Sequence, residues 1–145
     1  MRERDSTALA AVSAVLHRLA SATDRLDVDE LRAIYYADAH LFTPAWNASG
    51  VDEIIARMTG DPESDLGVRA IRHHLTTINV SLMGSDIADV RTYFIVFTEH
   101  GLDHTGHYDD RLRKDRTDCW RVAERRCKID HQQADSFINR LLSAS

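Results

Sequence analysis

The side chains of this chain that suit acid–base chemistry are few. His73 and His74 stand side by side at the head of a strand-like run, and Asp24 stands near the end of an amphipathic helical stretch earlier in the chain. A carboxylate that holds an imidazole in one tautomer makes a proton-transfer pair. The functional reading turns on whether these residues meet inside a pocket. Taken alone, Asp24 reads first as a surface acid that ends its helix or pairs with Arg18 or Arg25, and His73 as a structural histidine. An aspartate at a helix C-terminus opposes the helix dipole, which argues mildly that something else keeps Asp24 there. Strand alternation puts His74, not His73, with Thr76, Ile78, Val80 and Leu82 on the more apolar face.

A second group, His100, His104 and His107, has the i, i+4, i+7 spacing of helical metal ligands but lies on strand-like sequence. No cysteine and no repeated His-x-His accompanies it, so it reads as a solvated loop and no metal site is expected. The chain has no glycine-rich phosphate loop, no Gly-x-Ser-x-Gly elbow and no plausible cysteine nucleophile.

The elements that must position these residues follow from periodicity. The first 26 residues predict a helix whose buried stripe is Ala8, Val12, Val15, Leu16, Leu19 and Thr23. Asp27 caps a short second helix, with Glu30 completing a capping box and Leu31, Ile34 and Tyr35 on its apolar side. A short strand over Ala39 to Pro44, a third helix opened by Gly50 and closed near Gly60, and a loop over Asp61 to Gly67 come next. The second half changes period. Ala70 to Met83, Ile87 to His100, His104 to Arg113 and Cys119 to His131 are four long strands of an antiparallel meander, rich in Val, Ile, Thr, Tyr and Phe. Residues from Gln133 to Leu142 can form a last helix. This order defines an α+β domain, with helices on one face of a long sheet that must twist and curl. The run from Val90 to Phe97 is apolar at both parities. The helices can cover one face only, so a second subunit is the expected cover for the other.

Composition narrows the classes. The chain has 145 residues, 43% hydrophobic and 28% charged, with a formal net charge of −5. That fits one globular domain over residues 1–145 and no nucleic-acid partner. Arg111, Arg113, Lys114 and Arg116, and Arg121, Arg125, Arg126 and Lys128, form basic clusters with acids interleaved, which reads as a solvated sheet edge. Cys119 and Cys127 lie eight residues apart in one predicted strand, roughly 26 Å, too far for a disulfide. Two distant thiols suit a reducing, cytoplasmic setting. No segment has the length of a membrane span or the pattern of a signal peptide.

Several pieces together resemble SnoaL-like proteins of the nuclear transport factor 2-like superfamily. They are Thr23-Asp24-Arg25-Leu26-Asp27, Asp29-Glu30-Leu31, Tyr36-Ala37-Asp38-Ala39 and Arg72-His73-His74-Leu75-Thr76. Gly84-Ser85-Asp86-Ile87-Ala88, Gly106-His107-Tyr108, Asp110-Arg111-Leu112, Trp120-Arg121-Val122 and Arg125 follow in order. The resemblance implies a cone-shaped fold, a strongly curved antiparallel or mixed sheet packed on three N-terminal helices, with a pocket at the open end. It also implies that Asp24 and His73 pair as in dehydratase- and dehydrochlorinase-like members, which favours His73 over His74 as the inward histidine. Arg125 falls where such members carry a leaving-group arginine. Tyr108 and Leu41 are expected to line the cone, and Tyr35 and Thr77 to join them in binding substrate. Thr77 stands where the family often has asparagine, and the second histidine of scytalone dehydratase has no clear counterpart, with Thr98 nearest.

The function this implies is a cofactor-independent lyase of the dehydratase or dehydrohalogenase type, acting on a small, largely apolar molecule. An isomerase or aldol-type cyclase using the same pair is the alternative, and a non-catalytic binding module or small subunit of an oxygenase is another. The expected assembly is a homodimer through the outer sheet face.

Overall fold

A computed structural model describes residues 3–60 and 67–143. Helix α1 spans Glu3–Arg25 and buries Val12, Val15, Leu16, Leu19 and Ala22, the stripe its spacing predicts. Burying a leucine such as Leu16 or Leu19 contributes roughly 1.5–3 kcal/mol. Thr23 is half-buried and turns its hydroxyl back on the Leu19 carbonyl. The helix ends abruptly. Asp27 N–H donates to the Ala22 carbonyl at 3.0 Å and Leu26 N–H to the Thr23 carbonyl at 3.2 Å, with Leu26 in the left-handed region at φ 50°. That is a Schellman ending with leucine where glycine is usual.

Helix α2 spans Val28–Ile34 and is capped by Asp27, whose side chain accepts from the Glu30 N–H. The other half of the expected capping box does not form. Glu30 instead takes the Arg18 guanidinium at 2.6 Å, tying α2 back to α1, while the Asp27 N–H is already engaged by α1. Strand β1 (Tyr35–Phe42) begins earlier than its alternation suggests, and a short β2 (Asn47–Ser49), not expected from the sequence, turns back on it. Helix α3 spans Val51–Thr59 between Gly50 at φ 92° and Gly60 at φ 64°. Of the loop predicted over Asp61 to Gly67, residues 61–66 lie outside the described residues.

The four long strands are β3 (Ile71–Met83), β4 (Ile87–Thr98), β5 (Gly101–Lys114) and β6 (Trp120–Gln132), within a few residues of their predicted limits. A last helix, α4 (Phe137–Ser143), follows. The strands pair in the order β2-β1-β6-β5-β4-β3. All neighbours are antiparallel except β1 and β6, which run parallel, so the sheet is mixed. No helix among the described residues is long and apolar enough to cross a membrane.

Two register shifts matter for function. Leu75 pairs with Phe94 but Thr77 with Tyr93, leaving Thr76 as an extra residue in β3. Val96 pairs with His104 but Phe97 with Leu102, leaving Asp103 as an extra residue in β5. A bulge of this kind bends its strand and reverses which residues face inward on either side of it. The central strand sorts cleanly. Val90, Thr92, Phe94 and Val96 are buried on the inner face, whereas Arg91, Tyr93 and Phe97 are exposed on the outer one.

Candidate active site

Inward of the sheet lies a cavity of about 430 Å³, walled by α1, β1, the long strands and α4. Leu41, Trp46, Met58, Ile71, Phe94 and Phe137 give it a mostly apolar lining, into which Asp24, His73, His104, Tyr108, Arg125 and Cys127 bring polar groups. Few polar groups in an apolar hollow is the usual make-up of a small-molecule site.

Asp24 reaches this cavity from the last turn of α1 and meets His73 on β3. Its Oδ1 lies 2.6 Å from His73 Nδ1, and both carboxylate oxygens accept from the His73 backbone N–H at 3.1 and 3.2 Å. Three donor contacts offset the unfavourable position of an acid at a helix C-terminus. Because the carboxylate accepts, the neutral ring carries its hydrogen on Nδ1 and leaves Nε2 as a bare acceptor. His74 points the other way, edge-on against Phe97 on the outer face. The bulge at Thr76 explains why alternation misleads here. His73 and Leu75 face inward before it, and Ile78, Val80 and Leu82 after it, so one parity does not run through the strand.

Arg125, expected to assist a leaving group, lines the cavity from β6 but is not a free cation. Its Nε and Nη2 donate to the two oxygens of Asp110 at 2.7 and 2.8 Å, and both side chains are buried. Burial works against the charge, but the Asp110 carboxylate outweighs it and holds the guanidinium pKa above its ordinary value. The remaining Nη1 is the donor this residue can still offer. Its guanidinium carbon sits 3.8 Å over the Tyr108 ring, which stacks on Phe94 at 4.4 Å. Burial raises the Tyr108 pKa well above 10, so the phenol stays protonated as a donor. Gly106 makes this stack possible, since a Cβ there would lie 2.7 Å from the Phe94 ring and 2.0 Å from the Lys128 carbonyl oxygen.

Leu41 lines the cavity as expected; Tyr35 and Thr77 do not. Tyr35 is buried beneath the wall in the core, its hydroxyl has no partner among the described residues, and burial pushes its pKa up to about 12. Thr77 follows the bulge and is exposed. Thr98 also lies outside the lining.

The three-histidine spacing separates on the strands. His100 is exposed and reaches the Gly67 carbonyl, and His107 faces outward to Asp130 at 3.0 Å. His104 departs from the solvated-loop expectation: it is buried, lines the cavity, and holds the Asp103 carboxylate at 2.7 Å through Nδ1. Alternation would have sent Asp103 and His104 to opposite faces, but the bulge brings both inside. The Asp-His dipeptide was visible in the sequence, whereas the bulge was not.

A mixed six-stranded sheet on N-terminal helices, with a cavity between them, marks the cone-shaped class of α+β domains. Residues 4–126 match the model of the SnoaL-like domain, and the chain belongs to that family. It is similar to a proposed scytalone dehydratase from Novosphingobium aromaticivorans, with a TM-score of 0.79 and 19% identity over 92% of this chain and 91% of the other. It is also similar to hexachlorocyclohexane dehydrochlorinase LinA-type3 from Novosphingobium barchaimii, with a TM-score of 0.76 and 11% identity over 90% and 91%. A nuclear transport factor 2-like protein from Salmonella enterica matches with a TM-score of 0.76 and 14% identity over 90% and 96%. At such identities the likeness carries the fold and not the reaction. No curated protein matches the chain.

Proposed function

We propose that this protein is a cofactor-independent lyase acting on a compact, largely apolar molecule, with His73 as general base and Asp24 as the residue that orients it. The single observation that carries the reading is the Asp24 carboxylate on His73 Nδ1 inside an apolar cavity. Nε2 of His73 takes a proton from a carbon next to the carbon bearing the leaving group. The C–H electron pair becomes the new C=C bond, and the leaving group departs with its own bonding pair. A halide leaves as the anion. A hydroxyl leaves as water after taking a proton, which the imidazolium can return. Asp24 stabilises that imidazolium, and the Tyr108 hydroxyl and Arg125 Nη1 are the donors available to the departing atom.

His73→Ala and Asp24→Asn should each lower kcat/KM by about 10²–10⁴, in line with the worth of a positioned general base. A panel of cyclic β-hydroxy ketones and chlorinated alicyclics supplies the assay, and full activity in His73→Ala sinks the mechanism. An isomerase or aldol-type cyclase would use the same pair to make an enolate, whose oxygen Tyr108 and Arg125 would suit. Released water or halide separates the lyase from these. The reading includes a homodimer through the outer sheet face, supported by the exposure of Tyr93, Phe97 and Leu102 there; sedimentation of the chain checks it.

A further inference from the structure

Two Asp–His pairs, not one, serve the cavity, and the mechanism above uses only the first. We propose that His104, held by Asp103, is a second substrate-contacting histidine whose bare Nε2 accepts a hydrogen bond from a hydroxyl group of the substrate. This rests on the lyase reading for the chemistry and deepens it by naming the substrate class: a compact, largely apolar alcohol or phenol, not a halogenated hydrocarbon.

The geometry determines where the ring hydrogen sits. The Asp103 oxygens have separate duties: Oδ1 accepts from the Phe137 backbone N–H at 2.9 Å, and Oδ2 lies 2.7 Å from His104 Nδ1. A carboxylate can only accept, so Nδ1 donates and a neutral ring has its lone pair on Nε2. Burial, opposed by Asp103, lowers the His104 pKa, which keeps the ring neutral near pH 7. Phe94 and Phe137 pack edge-on against the ring with centroids 5.7 and 5.5 Å away. Nε2 has no protein partner among the described residues.

An acceptor in an apolar wall that has no donor loses the free energy of the unmade hydrogen bond. A substrate O–H satisfies it and a C–Cl group does not. Sites built to hydrogen-bond a hydroxyl reject analogues that lack it more strongly than apolar pockets reject a change of size. Both histidine rings neighbour Phe94, with centroids 6.3 and 5.7 Å from it, and all three line the same cavity, so one compact substrate can face both.

The test reads binding, not turnover. Calorimetry on the full chain compares 2-naphthol with naphthalene, two probes that differ by one hydroxyl. The wild type should bind 2-naphthol at least tenfold more tightly. Asp103→Asn should reverse the polarity of the site. The Phe137 N–H fixes the amide oxygen, so the amide NH₂ faces His104 Nδ1 and drives the ring hydrogen to Nε2. That variant should lose the 2-naphthol preference and gain preference for 2-acetonaphthone, a carbonyl acceptor.

Nitrogen-15 spectra of the imidazoles, with His104 assigned by its absence in His104→Gln, should show Nε2 bare in the wild type. His73→Ala should keep the 2-naphthol preference while losing turnover, so the lyase reading and this one can fail separately. The inference is overturned by any of four results. They are absent or equal binding of the two probes, an Nε2–H tautomer in the wild type, an unchanged preference in Asp103→Asn, or loss of the preference in His73→Ala.

Discussion

Asp109 and Asp110 are neighbours on β5, yet they live in different solvents. Asp109 faces outward and pairs with Arg91 through two bonds of 2.7 and 2.8 Å. Asp110 faces inward and pairs with Arg125 through two bonds of the same lengths. Asp89 and Arg111 repeat the outer version one pair along the ladder. The geometry is the same and only the surroundings differ, so contact distance alone says little about what a pair does. On the outer face, water and salt screen the charges, and the pairs serve chiefly to match neighbouring strands. On the inner face, neither charge can be left alone, and the pair fixes Arg125 against Tyr108 beside the cavity. Histidine–aspartate pairs divide the same way: Asp24–His73 and Asp103–His104 lie inside, His107–Asp130 outside.

The sharpest way to break the comparison is to neutralise each aspartate in turn. Asp110→Asn should cost about 3–5 kcal/mol in chemical denaturation, because it strands a buried guanidinium. Asp109→Asn should leave the midpoint essentially unmoved. Equal effects would mean that the two faces are not as differently solvated as their burial states.

Acid separates the faces more gently. The His104 pKa lies below its ordinary value because burial disfavours the charged ring, an effect that Asp103 only partly opposes. As pH falls past about 6.5, the unfolded chain takes up a proton that the folded His104 still refuses. Stability is therefore present above that pH and lost as pH falls toward the lower folded value, with a slope of at most about 1.4 kcal/mol per pH unit. The pKa values of Asp89 and Asp109 are held below their ordinary value, chiefly by hydrogen bonds from Arg111 and Arg91, so the outer face weakens only under more acid conditions. Denaturation midpoints from pH 7 to 5 should fall in the wild type and fall less in His104→Gln. Identical slopes would remove His104 from the account.

The smallest effect concerns the floor under the inner face. The Tyr35 hydroxyl is buried without a partner, so Tyr35→Phe should leave stability unchanged or raise it by about 1 kcal/mol, and should not alter probe binding. A marked loss of binding would return Tyr35 to the substrate wall.

Much of the fold was legible in the sequence because it rests on local patterns. The stripe of α1, the Asp27 cap, the glycines bounding α3 and the β-rich runs each state their element within one window of residues. The pairing of Asp24 with His73 was legible only through resemblance, since the two residues lie on different elements. The other site residues were hidden for different reasons: Tyr35 reads as the end of a helix but opens β1, Thr77 lies just past the bulge that turns it outward, and the bulge at Asp103 carries His104, which reads as part of a solvated loop, into the wall. A bulge arises from how two strands register against each other and from what their ends must meet. No single strand's composition records it.

The sequence by itself thus determined the class of fold, the order of its elements and the presence of a helix-end carboxylate and a strand histidine that could pair. Only the tertiary structure decided that two Asp–His pairs share one cavity, that Arg125 is tied to Asp110, and that β1 runs parallel to β6. Periodicity is set residue by residue along the chain, whereas strand register, burial and the hydrogen left on an imidazole nitrogen depend on partners that are distant in sequence.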